Sequence, residues 1–582
     1  MKATVALIMF SVVIVTGCGG GGAGTSAPPP TVNIQLSSSA LQVSQSGDTA
    51  SVSVTVTSSG TSAPVTLLVA GAPAGVFVSI TQPGSSNIGA ISFSVTKPST
   101  APAATYALQV KASSGATVGV APLSLMVTGL VTVGGNTAGN TAFMSTSFQV
   151  ADYSYAWLTD HQAAIAPLVS LSPQHVRVQV LDGAMPETAQ DQWNFTELDA
   201  IVQPLLSNGD QSPQLQIGAA PAFMYNSSGA LRDPTFQEFA GFCANLVRYY
   251  NKGGFVSGSN TYQSPSSAPI KWWGIYNEPN INNVTADQYV AIYNAAGAAM
   301  LAVDPSIKLV ALELSDWGTQ PQTFLPPLLV GATAPIHAVA THYYGTCNQK
   351  DTDQTVMDSV SMFAEHASYF RSALDANTTT LGTPLWVTEN NVNADWNNNG
   401  KSACNPTQAF VSDPRGSSAF FAAWRPLAYS QLVKAGTAGV WHWSYAGDAQ
   451  YGEVDGNGNK QLSYWVDYYL SNWLPSTATL LSATSSDDGI EVLAALRNDG
   501  KKVIMIANHQ VAGANDNNGP GVAKTITLDL SQAGSYSTAW LVTMDATTSP
   551  ATGPLPVAVT PAQQLELKFA GYGVQFLMIG EN

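Results

Sequence analysis

Apolar and polar positions change their pattern three times along the chain. From about 32 to 128 they alternate, in VNIQLSS, ASVSVTVTSS, VTLLVAG, AISFSVTK, TYALQVKAS and APLSLMVT, with Gly, Pro and Ser between the runs. Alternation of period 2 turns one face of each strand toward a core. Short strands at this spacing, with no helical stretch between them, predict an immunoglobulin-like β-sandwich over 32–130. A Gly/Asn/Thr stretch near 130–142 reads as a linker, and over 140–475 the pattern becomes strand-length apolar runs separated by amphipathic stretches. The runs are HVRVQVL, PQLQIGAAP, IKWWGIYNEP, KLVALELS, IHAVATHYY, PLWVTENN and AGVWHWSYA; ADQYVAIYNAAGAAMLAV and SVSMFAEHASYFRSALDA are two of the helical stretches. With a first strand near 145–150 the count reaches eight units, which predicts a parallel (β/α)8 barrel. A doubly wound open sheet would need a Gly-rich phosphate turn after an early strand, and none follows. Beyond Pro475 the helices cease and short strands return, predicting a C-terminal β-sandwich over 476–582.

The 582 residues exceed what one core organises, in keeping with several domains. Charged residues make up only 10% of the chain and the net charge is −16, which argues against nucleic acid or an anionic membrane surface as a partner, since both demand clustered Lys and Arg. The first residues carry one positive charge at Lys2, an apolar run from Ala3 to Val15, then Thr16, Gly17 and Cys18. That run is too short to span a bilayer and fits an export signal. Its end resembles a bacterial lipobox, so residues 1–18 are expected to act as a lipoprotein signal with Cys18 acylated. Residues 19–31, GGGGAGTSAPPPT, follow as a tether. The expectation is an exported monomer at the outer membrane or cell surface, touching the membrane only through its anchor.

Export permits disulfides. Cys243 falls in an amphipathic helical stretch and is expected to be a small core residue. Cys347 and Cys404 both follow strands in polar loops and are expected to pair.

Two carboxylates carry the candidate chemistry. KWWGIYNEPN ends a strand on Asn277 and Glu278, and PLWVTENNVN ends another with Glu389. In such a barrel the C-terminal strand ends hold the reacting groups. The two Glu are 111 positions apart (389 minus 278), or three βα units, which assigns them to strands 4 and 7. Retaining cleavage of a glycosidic bond needs two carboxylates roughly 5–5.5 Å apart, one to protonate the leaving oxygen and one to attack the anomeric carbon.

This arrangement resembles glycoside hydrolase clan A, and within it family 39 most; families 5 and 30 are further candidates. The resemblance implies that Glu278 is the acid/base and Glu389 the nucleophile. It also implies that Arg177 supports Glu389, that Asn277 meets the sugar 2-hydroxyl, and that His342 and Tyr344 form the H-x-Y pair of strand 6, with the Tyr344 hydroxyl on Glu389. Trp441 and Trp443, two apart on the last strand, would floor the sugar site; Tyr225, Trp317 and Trp396, which follow strands 3, 5 and 7, are candidates either for outer subsites or for exposed loop aromatics without that role. No cluster has zinc spacing, GEVDGNGNKQ lacks the ligand series of a calcium loop, and the chemistry needs neither metal nor cofactor. The expected activity is therefore hydrolysis of β-type O-glycosidic bonds in an oligo- or polysaccharide. A catalytically silent carbohydrate-binding or adhesion protein on the same barrel, or a transglycosylase, would use the same residues. The N-terminal sandwich lacks Trp, the usual sugar platform, and reads as a spacer.

Overall fold

The computed structural model describes residues 28–85, 87–97, 99–148, 157–207, 213–315, 320–447 and 450–581. Cys18 and Trp317 lie outside them. The chain divides into two compact units: one holds the sandwich up to Val127, and the other holds Ser44–Ser46 and everything from Thr128.

In the first unit, antiparallel strands Thr31–Leu36, Thr49–Ser59, Ile88–Val95 and Val76–Thr81 form one sheet. Thr66–Ala70 pairs with Ala104–Ser114, which pairs with residues 117–127. The alternation read from the sequence is what fills the core: Val52, Val54 and Val56 are buried while the Ser and Thr between them are exposed.

The second unit is built on a closed barrel of eight parallel strands. In chain order these are β1 (Phe143–Phe148), β2 (Val176–Val180), β3 (Gln214–Ile217), β4 (Trp272–Ile275), β5 (Lys308–Ser315), β6 (Ala338–Thr346), β7 (Leu385–Asn393) and β8 (Gly439–Trp443). β8 pairs with β1 to close the ring. The helices that follow them are α1 (Ile165–Ser170), α2 (Thr196–Ser207), α3 (Gln237–Asn251), α4 (Ala286–Val303), α5 (Gln320–Gly331), α6 (Asp353–Ala376), α7 (Ala419–Lys434) and α8 (Leu462–Trp473). Local chemistry starts several of them: Thr285 and Gln288 form a reciprocal capping box on α4, and Thr352 and Ser418 cap α6 and α7. The first strand begins at Phe143, earlier than the sequence pattern placed it.

The stretch near 130–142 is not a linker. It belongs to one long strand, Thr117–Asn140, whose residues 128–140 join the C-terminal sheet between Thr479–Ser485 and Lys524–Asp529. Val131 and Val133 keep the alternation going and are buried in that core; the glycines after them hide the pattern from a composition reading. The C-terminal sheet has two apolar faces. Val492, Ala494, Ile504 and Ile506 point into its own core, while Leu493, Ala495, Val503, Met505 and Phe576 pack with the barrel helices. Period 2 with both faces covered gives the continuous apolar runs seen in the sequence.

Outside the ring, Asp467 of α8 lies 3.0 Å from both His442 Nδ1 and Arg425 Nε. Arg425 of α7 also donates to the Asn390 side-chain carbonyl, so the strand end carrying Glu389 is tied to two helices. Cys243 is buried as a free thiol in α3. Cys347 and Cys404 are joined by a disulfide, with Cα atoms 5.9 Å apart, between the end of β6 and the β7–α7 loop.

Candidate active site

The backbone at the C-terminal end of the barrel departs from regular strand geometry where the carboxylates sit. After β4 the chain is still pinned on both sides. Tyr276 N–H donates to Ile217 and Asn277 N–H to Gly218, both at the end of β3, and Glu278 N–H donates to the Glu313 carbonyl of β5 at 2.9 Å. Four residues here have positive φ: Tyr276 (67°), Glu278 (45°), Leu312 (77°) and Glu313 (50°). Each such residue costs on the order of 1–3 kcal/mol and persists only where surrounding contacts fix it, which is characteristic of sites that do chemistry.

Glu278 from β4 and Glu389 from β7 face each other across His342 of β6. His342 Nδ1 lies 2.9 Å from Glu278 Oε1 and 3.5 Å from Glu389 Oε2. One oxygen of each glutamate and a His342 ring nitrogen all lie within 4.8 Å of one another. Glu389 is further held by Arg177 at 2.8 Å, by the Tyr344 hydroxyl at 2.7 Å and by the Gln179 amide at 3.2 Å. Burial pushes the Glu389 carboxyl up, and the charges of His342 and Arg177 oppose that rise. Asn277 accepts from Arg177 at 3.0 Å and from Gln179 at 3.1 Å, which turns its amide nitrogen away from them.

Sequence reasoning missed a third carboxylate. Glu313 is fully buried on β5, where Arg177 reaches it at 3.1 Å, Gln214 at 3.0 Å and the Thr388 hydroxyl at 2.5 Å. Burial alone would raise its pKa, but Arg177, His342 and Thr388 bring it below the ordinary value. Arg177 shows the converse: burial lowers its pKa, yet Glu313 and Glu389 leave it raised. His342 follows the same logic, with burial opposed by Glu389, Glu278 and Glu313, and its pKa is pushed up to about 9. A charged residue inside the apolar run KLVALELS was the signal that could have revealed Glu313. Gln179 gave a weaker one, as the polar residue two places after Arg177 on the same strand face.

Trp441 does not floor the site. It is fully buried in the barrel interior, with ring centroids 5.2 Å from Phe143, 5.1 Å from Trp386 and 6.0 Å from His175, all near the N-terminal strand ends. Trp443, two residues on, is only partly buried at the C-terminal end of β8, where its carbonyl accepts from Asn391. The physical reason is depth: a strand advances about 3.3 Å per residue, so two residues on one face stand about 6.6 Å apart along the strand. Of the remaining loop aromatics, Tyr225 bonds the Ala220 amide at 3.1 Å and lies 3.4 Å from the Tyr276 hydroxyl, whereas Trp396 is 46% exposed.

Glu278, His342 and Glu389 also carry the donor atoms of a metal site. Here, however, the positive charge facing the carboxylates is already supplied by Arg177 at 2.8 Å from Glu389 and by His342. A cation held by these three residues would take the place of the His342 proton and stand beside the Arg177 charge.

No family model matches the chain, and no curated protein does. Solved structures match over most of its length. A monomeric β-xylosidase from Caulobacter crescentus CB15 is 13% identical, with a TM-score of 0.53 over 78% of this chain and 99% of that one. The family 51 arabinofuranosidase from Xanthomonas axonopodis pv. citri is 13% identical, with a TM-score of 0.55 over 78% and 99%. The family 39 enzyme from the same organism is 14% identical, with a TM-score of 0.50 over 78% and 97%. The chain has the (β/α)8 barrel, with further β-sheets beside it, and in fold it matches these glycoside hydrolases.

Proposed function

We propose that this protein is a retaining glycoside hydrolase acting on β-linked glycans, exported and held at the cell surface by a lipid on Cys18. One observation carries the enzymatic reading: an oxygen of Glu278 and an oxygen of Glu389 lie within 4.8 Å of each other at the mouth of the barrel. Retaining enzymes hold their carboxyl groups about 5–5.5 Å apart, whereas inverting ones need about 6.5–9.5 Å to admit a water.

In this mechanism Glu389 attacks the anomeric carbon, forming an ester as the glycosidic C–O bond breaks, and Glu278 gives its proton to the departing oxygen. Water then enters, gives a proton back to Glu278 and cleaves the ester, so the product keeps its anomeric configuration. The Arg177 and Tyr344 contacts support Glu389 as the attacking anion. Asn277 offers an amide to the sugar 2-hydroxyl, and Trp443 offers an aromatic edge at the mouth. Since solved structures of this fold include a β-xylosidase, an arabinofuranosidase and a bifunctional glucanase-xylanase, pentose and hexose glycosides are the first substrates to try.

The test is turnover of an aryl-glycoside panel, with proton NMR of the first product. Wild type should release a product of retained configuration. Glu389→Gln should abolish turnover, and Glu278→Gln should lower it about 10²–10⁴-fold. Absence of turnover across pentosides, hexosides and uronides, or a product of inverted configuration, would overturn the reading. Retention of the membrane fraction by wild type and its loss in Cys18→Ser checks the anchor.

A further inference from the structure

Glu313 has no place in the two-carboxylate scheme, yet it is as fully enclosed as the Arg177 it pairs with. Its side chain is fully buried, and its neighbours are arranged to admit it. Gly274 of β4 is one of them: a Cβ at that position would stand 2.8 Å from Glu313 Oε1. Its main chain is also committed, because the Glu313 carbonyl accepts the Glu278 amide at 2.9 Å.

Contact distances place the protons around His342. Arg177 Nη2 has two hydrogens and three neighbours: Asn277 Oδ1 at 3.0 Å, Glu313 Oε2 in an ion pair at 3.1 Å, and His342 Nε2, the farthest, at 3.5 Å. The nearer partner of His342 Nε2 is Glu313 Oε2, at 3.3 Å, and the Nε2 proton is assigned to that bond. The other ring nitrogen faces only carboxylate oxygens, those of Glu278 and Glu389. With both nitrogens donating, the ring is an imidazolium.

We propose that Glu313 is the positioning residue of this site: it holds His342 as a cation bonded to Glu278 and leaning on Glu389, and its main chain fixes the height of Glu278. The role rests on the glycosidase reading for its meaning in catalysis, though the geometry stands without it. The ring and the four charged or titratable groups that meet it, Arg177, Glu278, Glu313 and Glu389, balance. Arg177 and His342 are positive and Glu313 and Glu389 negative, so the cluster is neutral when Glu278 carries a proton; Tyr344, on the same strand as His342, stays a neutral phenol because burial and Glu389 push its pKa up. Because His342 donates to Glu278 Oε1, the second oxygen of Glu278 is the one left to carry the transferable proton. Take away the Glu313 charge, and the same neutrality is reached by releasing the proton of His342.

The experiment is a titration of the His342 ring by nitrogen-15 NMR on the full chain, the signal being identified by its loss in His342→Gln. In wild type the ring should stay protonated to about pH 9. In Glu313→Gln its midpoint should fall by at least one unit. kcat on an aryl glycoside should fall about ten- to hundredfold with little change in KM, and the alkaline limb of the pH profile should move down with the His342 midpoint. A folded Glu313→Gln protein whose His342 midpoint and pH profile do not move overturns the proposal, as a residue that merely fills space would behave in that way. Should Glu313→Gln not fold, Gly274→Ala crowds Glu313 with its charge intact. A smaller fall in the His342 midpoint supports the role, and an unmoved one overturns it. The titration needs no substrate. A chain that cleaves no glycoside defeats the functional reading while leaving the Glu313 result to stand or fall by itself.

Discussion

The Tyr344 hydroxyl donates to Glu389 Oε2 at 2.7 Å, on the side of the carboxylate opposite the Arg177 contact at Oε1. The two oxygens of the proposed nucleophile are thus held by different partners from different strands. A charge-assisted hydrogen bond of this kind is worth about 1.5–3 kcal/mol.

Tyr344→Phe should accordingly lower kcat/KM about ten- to a hundredfold, since 1.4 kcal/mol corresponds to one factor of ten. The fold should survive, because the ring remains. Parallel steady-state kinetics and thermal melts separate the two effects; a variant with wild-type kcat/KM would mean that the hydroxyl does not act on the reacting carboxylate.

The two tryptophans of β8 should part company on mutation. Trp441→Phe removes a buried indole whose N–H has no partner among the described residues, so the lost volume is partly offset and the cost should stay below about 3 kcal/mol. Its kinetics should match wild type. Trp443→Ala, at the mouth, should raise KM severalfold with a smaller effect on stability. Urea unfolding with kinetics on both variants checks this, and a raised KM in Trp441→Phe would return that residue to the substrate site.

Glu187 supplies a pH test away from the catalytic pair. Burial pushes its pKa up to about 7 from the ordinary 4.5, against the Asp191 amide hydrogen bond, which lowers it, and with smaller help from the charges of Asp191 and Glu238. The unfolded chain then loses this proton before the folded one does, so the group draws stability away as pH rises from about 4.5 through about 7. Glu187→Gln keeps the oxygen that accepts the Asp191 amide at 3.0 Å and cannot ionise. It should be more stable than wild type at pH 8, by about 1–2 kcal/mol, and no more stable at pH 4. Chemical denaturation at the two pH values is the measurement.

The barrel's βα rhythm was legible because each strand and each helix buries a face of fixed period, and that period is written in the order of residues. Glu278 and Glu389 were legible for the same reason, as each ends an apolar run. Arg177, His342 and Tyr344 could be placed on inward faces, but only the fold shows Arg177 bridging two carboxylates at once. The strand at 128–140 was hidden by its glycines, and its partners are residues more than three hundred positions further on.

What the sequence determined by itself, then, is which elements form, which side of each faces inward and which strands end in a carboxylate. Those are properties of neighbouring residues and of a repeating backbone. Depth within the barrel and the meeting of β2, β4, β5 and β7 around the imidazole of β6 were decided only by tertiary structure. Closing a ring of tilted strands sets the height of every inward side chain against all the others, and no local pattern records that height. This is why Trp441 lies in the core while Trp443 stands at the mouth, and why Glu313, which looked like one more strand residue, sits at the centre of the charge network.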